Sequence, residues 1–219
     1  MSVLSAQIRL VDLARDRLPG ALDGMILREL FMTVREFFMR SDAWTHIISF
    51  CACPRQHKYK ISPAAEEGDA FVNRLLWVEG LRPCSDKTGG GLACAATMPQ
   101  PGAPFATIEI RNPPSAPEKW HAHVALTVVD PTDHDGFPRV PDWLFDKHMG
   151  ALLDGLLARM MTQPAKPYSN AAMAQYHGRR FENGVNLART ETRHGTLASG
   201  QRWSFPRSFQ VRSQRAWGW

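Results

Sequence analysis

The sequence predicts an α+β fold: a small antiparallel helical bundle with an inserted antiparallel β module and an extended C-terminal arm. Three observations predict it. Apolar residues recur at helical spacing near both ends of the chain. Between Trp44 and Val140 the period falls to two, and prolines and glycines cluster. Residues 196–219 follow neither period, yet they are rich in arginine and large aromatics. The expected organisation is therefore 1–43 for the N-terminal helices, 44–140 for the β module, 141–195 for a C-terminal helical hairpin and 196–219 for the arm. A chain of 219 residues with 44% hydrophobic content suffices for a packed core and is too apolar to be wholly disordered.

A short helix is expected over 5–15. Leu18, Pro19 and Gly20 then break the chain before a longer helix over 21–41, for which Asp23 is the expected cap. Ile26, Leu30, Val34, Phe37 and Phe38 form its stripe, widened by Leu27 and Phe31. Strands are expected over 45–53, 57–61 and 71–78. Two more are expected where Ala106, Ile108 and Ile110, and then Trp120, Ala122, Val124, Leu126 and Val128, alternate with other residues. Residues 82–91 and 98–104 read as loops. A broad apolar face from Leu144 to Met161 predicts a helix over 142–163, stopped by Pro164 and Pro167. Ser169 is the expected cap of a last helix ending near His194, with Gly195 just beyond it. The short loop makes these two helices antiparallel neighbours. The expected helical core is Phe31, Val34, Phe37, Phe38, Leu144, Phe145, Leu152, Leu156, Phe181 and Val185. Three such helices bury their stripes against each other, and the β module is expected to project from the bundle.

Motifs that carry chemistry are sparse. Cys51, Cys53 and His57 lie close in sequence, with Cys84 and Cys94 as further thiols, but the spacings do not match a closed zinc site. His121 and His123 share one strand face without a third ligand nearby. The run from Asp130 to Gly136 is acidic and turn-like, but it lacks the ligand spacing and the terminal Glu of a calcium loop. Gly89, Gly90 and Gly91 are not closed by Gly-Lys-Ser/Thr, so they do not make a phosphate loop. Glu66 and Glu67 are adjacent, so in a strand or helix they would point apart, and no nucleophile elbow occurs. The expectation is a protein that is not an enzyme, with no catalytic residue, cofactor or metal. Four cysteines are no disulfide scaffold, no leader of the secretory type opens the chain, and no apolar run reaches the roughly 18–20 residues of a membrane helix. Synthesis in a reducing cytoplasm, away from membranes, is the expectation.

Arg193, Arg202, Arg207, Arg212 and Arg215 account for the whole formal net charge of +5, which leaves residues 1–192 balanced. Interleaved with them are Trp203, Phe205, Phe209, Trp217 and Trp219. Large aromatics and arginines dominate protein interfaces, so the segment reads as an arm that docks on a partner. The same residue types suit phosphates and bases. A soluble nucleic-acid-binding protein using this tail is therefore the alternative reading, although the neutral body offers no broad basic face.

Two stretches carry a family resemblance. One runs from Leu18-Pro19-Gly20 through Arg28-Glu29-Leu30 to Arg35-Glu36-Phe37-Phe38 and Trp44. The other runs from Pro141-Asp142-Trp143-Leu144-Phe145 through Gly155 to Met161, then from Gln163 to Asn170 and on through Tyr176-His177, Phe181, Gly184 and Ala188-Arg189. Together they resemble the head-to-tail adaptor (connector, head-completion) proteins of tailed bacteriophages, the short-tailed ones above all. The resemblance implies a helical core, assembly as a homo-oligomeric ring, usually twelve-fold, beneath the portal protein, and a channel that genomic DNA traverses without specific binding. It also implies a C-terminal arm embracing the portal. Arg202, Trp203, Phe205, Arg207, Phe209, Arg212, Arg215, Trp217 and Trp219 are the expected portal-binding residues. The expected location is the virion, at the head–tail interface. The β module matches nothing in that family, and its expected partner is the downstream tail (nozzle or tube) protein.

Overall fold

The computed structural model describes residues 3–63, 70–80, 94–97, 106–110, 113–128 and 140–196. In chain order these form α1 (Val3–Arg15), α2 (Asp23–Ser41), β1 (Thr45–Ala52), β2 (Lys58–Ile61), β3 (Ala70–Gly80), β4 (Cys94–Thr97), β5 (Ala106–Ile110), β6 (Glu118–Val128), α3 (Asp142–Met161) and α4 (Ala171–Thr196). The fold is α+β, and every strand pairing is antiparallel. The strand β4 was not anticipated. It is four residues long and rich in alanine, which leaves no alternation to detect.

The ends of the helices differ from expectation in three places. Asp23 is the first helical residue rather than the cap, and Leu22 holds the cap position without a side-chain bond. Its carboxylate instead takes a paired contact from Arg15, at 2.9 and 3.1 Å, which ties α1 to the start of α2. The cap of α4 is Asn170, not Ser169: the Met173 amide donates to its Oδ1 at 3.1 Å. Ser169 is still in the preceding turn, where its amide donates to the Lys166 carbonyl. Gly195 lies inside the last turn of α4, which continues to Thr196.

All ten residues expected in the helical core are buried. The helices approach closely because two glycines allow it. A Cβ on Gly155 of α3 would stand 2.6 Å from both the Phe181 ring and the Thr33 methyl, and one on Gly184 of α4 would stand 2.5 Å from the Cβ of Ala151. Polar pins fix the register. Asp154 of α3 accepts from His177 Nδ1 at 2.7 Å and from Arg180 Nε at 2.8 Å, both on α4. Arg40 of α2 grips Glu36 and Glu182, and Arg159 of α3 donates to Glu36 at 2.6 Å.

The strands make two three-stranded sheets, in the orders β1-β6-β3 and β2-β5-β4. One face of the first sheet is buried along Trp120, Ala122, Val124, Leu126 and Val128, as the alternation predicts. Phe50 joins this face to the second sheet, with its ring 5.1 Å from Tyr59 and 6.3 Å from Trp120. The first sheet does not stand clear of the helices. The Thr127 hydroxyl donates to the Arg35 carbonyl, Asn73 donates to the Met39 carbonyl, and Trp44 packs edge-on to Phe38. The last turns of α2 carry apolar residues on more than the bundle side, so one core runs from the helices into the sheet.

Candidate docking surface

The other face of the first sheet is covered at one end and open at the other. Alternation along β1 and β6 puts Thr45, Ile47, Ser49 and Cys51 on this face, paired with Ala125, His123, His121 and Lys119, and Thr127 follows on the same face of β6. At the Thr127 end, α2 closes the face. Two bulges in β3, between Val72 and Arg74 and between Leu75 and Trp77, decide the rest. The first turns Arg74 outward, where it bridges Asp42 at 3.0 Å, and the second restores phase so that Trp77 pairs with His123.

Ile47, His123 and Trp77 therefore form one row across the three strands. Trp77 and His123 stack with centroids 4.1 Å apart and an interplanar angle of 17°. Beside the row stands Trp143, the second residue of α3. Lys147 of α3 and Glu191 of α4 close the wall with an ion pair at 2.7 Å, and Thr192 lies next to them. The resulting groove encloses about 730 Å³. Its lining mixes apolar side chains with Thr45, His46, Lys147 and Glu191, and Trp143 is 58% and Ile47 53% exposed. An aromatic and aliphatic concavity of this kind, rimmed by charge, is the form of a protein-docking site.

Electrostatics at the groove's inner end come from the junction of α2 and β1. Asp42 adopts φ 55° and closes α2. Burial raises its pKa above the usual carboxylate value, and the guanidiniums of Arg74, Arg189 and Arg193 oppose that shift. The last turns of α4 thus lie against this junction. The Lys147 contact holds the Glu191 carboxyl below its ordinary value.

The residues singled out for metal chemistry are placed otherwise. Cys51 is exposed on β1, and Cys53 lies just past the strand, where desolvation and the adjacent Cys51 raise its thiol pKa. His57 Nδ1 bonds the Ile110 carbonyl at 2.8 Å. His121 and His123 do share a face, but His121 bonds the Ser49 hydroxyl at 2.9 Å and His123 stacks on Trp77. Among the described residues no three His, Cys, Asp or Glu side chains gather as a metal site would need, and no helix is long and apolar enough to cross a membrane. Glu66, Glu67, Cys84, Gly89–Gly91, Asp130–Gly136 and all nine expected portal-binding residues, Arg202 to Trp219, lie outside the described residues.

The groove was not legible in the sequence. The His121 and His123 pair hinted at one wall, and Trp143 stood out only as part of the family resemblance. Nothing in the spacing of Trp77 and Ile47 shows that the two share a row, because pairing through β6 sets it. Comparison with known proteins yields no family model and no curated protein that matches the chain.

Proposed function

We propose that this chain is a structural subunit of a tailed-phage adaptor ring, which joins the portal to the tail and continues the DNA channel, with residues 196–219 docking on the portal. The observation that carries the reading is the helical core. The α3–α4 hairpin packs on α2, and the two segments that bear the family resemblance, one running through α2 to Trp44 and one spanning α3 and α4, meet there. Two glycine contacts and the Asp154 pin hold that core in one register, as a ring subunit requires.

The charge pattern supports the same reading. Residues 1–192 carry no net charge, and several of their cations are paired with acids: Arg9 with Asp146, Arg15 with Asp12 and Asp23, Arg40 with Glu36 and Glu182, Lys147 with Glu191. A wall of matched charges lets a polyanion slide, whereas a DNA-gripping face needs unmatched cations. The β module is left to face the downstream tail protein.

Electron microscopy of phage particles that contain the chain tests the proposal. The expected result is a ring of this subunit between portal and tail, with its C-terminal segment against portal chains. A chain absent from particles, monomeric, and binding DNA with a log–log salt slope of about −4.5 for five arginines would replace it with the nucleic-acid-binding alternative.

A further inference from the structure

The open groove on the first sheet and the segment that follows α4 lie at the same place in the molecule. Glu191 and Thr192 form part of the groove wall, and α4 ends one turn later at Thr196. The charges of Arg189 and Arg193 are felt at Asp42, where the groove begins. Residues 197–219 therefore start at the groove's rim. Trp203 lies seven residues past Thr196, and that length reaches up to about 23 Å when extended, enough to turn back and lie along the row.

The chemistry matches as well. The groove offers the stacked Trp77–His123 platform, the Ile47 side chain and the exposed Trp143 ring. The segment offers Trp203, Phe205 and Phe209, with Arg202 and Arg207 between them. Aromatic rings gain by leaving water against such a platform, and a guanidinium stacks well over an indole. Pro206 narrows the conformations that docking must select. Attachment to α4 makes the association intramolecular, so a weak contact per residue suffices.

We infer that in the free protein the groove formed by Ile47, Trp77, His123 and Trp143 holds the chain's own C-terminal segment, seated through Trp203, Phe205 and Phe209. The groove shields aromatics that would otherwise favour self-association. Engagement of a larger partner then requires the segment to leave it. This goes beyond the adaptor reading and does not depend on the partner's identity.

Photo-crosslinking on the full chain tests it. With p-benzoylphenylalanine at Ser204, beside the anchors, the expected product is an intramolecular crosslink to the β1 segment containing Ile47 or to the α3 segment containing Trp143. Its yield should not change on dilution. Trp143→Ala, at a ring already more than half exposed, should leave the circular dichroism intact and lower that yield roughly tenfold. Crosslinks to another surface, a yield insensitive to both Trp143→Ala and Ile47→Asp, or intermolecular products that grow with concentration would overturn the inference, the last by assigning the groove to a second copy. Portal rings from the same phage separate the two ideas. Transfer of the crosslink to the portal supports both. A groove crosslink that the portal cannot displace keeps this inference and removes the adaptor reading.

Discussion

Gly155 of α3 faces Phe181 of α4 and Thr33 of α2, and Gly150, five residues earlier on the same helix, faces open space. The two glycines give opposite expectations for one substitution. Alanine is favoured over glycine in a helix by about 1 kcal/mol. At Gly150 nothing stands within 4 Å of the new methyl, so Gly150→Ala should raise stability by about 0.5–1 kcal/mol. At Gly155 the methyl meets Phe181 and Thr33, both buried, so overpacking outweighs propensity and Gly155→Ala should cost about 1–2 kcal/mol net. Denaturation midpoints of the two variants check the pair, and a stabilised Gly155→Ala would show that the helices pack more loosely than described. His148 adds a pH dependence. It is buried against the Phe37 ring, and its pKa is lowered by desolvation first and by Lys147 next, with Glu191 opposing. The unfolded chain therefore takes up a proton near the ordinary value of 6.5, while the folded chain still resists it. Stability is complete above that value and falls as the pH drops below it. His148→Gln should flatten this slope in denaturation curves taken on either side of about pH 6.5.

At the scale of elements, the α3–α4 hairpin depends on Asp154 more than on its partners. Its carboxylate is buried and bonds both His177, which is also buried, and Arg180, which is largely exposed. Asp154→Ala leaves His177 buried without its acceptor and should cost about 2–4 kcal/mol. Arg180→Ala removes solvent-screened contacts with Asp154 and Tyr176 and should cost much less than Asp154→Ala. Comparable losses from the two variants in thermal melts would mean that the pair at the helix surface, not the buried one, sets the register. The Arg40 contacts with Glu36 and Glu182 link α2 to α4, but these side chains are roughly a third to a half exposed, so Glu182→Gln should cost only about 0.5 kcal/mol. The Arg40 guanidinium holds the Glu182 carboxyl below its ordinary value, and that small contribution is lost only in acid, as pH falls through the lowered value.

For the whole molecule, the seam between helices and sheet decides how it unfolds. Trp44 is buried at that seam, its ring packs on Phe38, and its carbonyl accepts from the Leu126 amide. Such continuity predicts one cooperative transition. Far-ultraviolet circular dichroism, dominated by helix, and tryptophan fluorescence should give the same midpoint. Two separated transitions would mean that the β module folds as its own unit. Leu152→Asp, which puts a carboxylate at a fully buried site in α3, should abolish the folded state in both signals together.

Helix stripes and strand alternation depend on neighbours three, four or two residues away, so the sequence alone determined the α+β class, the order of every element but β4 and the ten core residues of the bundle. It also determined where the charge lies, since net charge per segment needs no coordinates. The helix caps were off by a residue because Ser169 and Asn170 are both good capping residues and only the turn geometry chooses between them. The strand β4 escaped because four small residues carry no period. Whether the β module stood apart from the helices was a question of long-range packing, and Thr127 and Asn73 answer it by bonding α2 carbonyls. The docking groove belongs wholly to the tertiary structure. Ile47, Trp77, His123 and Trp143 come from three strands and a helix spread over nearly a hundred residues. Two bulges and one antiparallel register bring them together, and no local pattern encodes a row that forms only when distant strands pair.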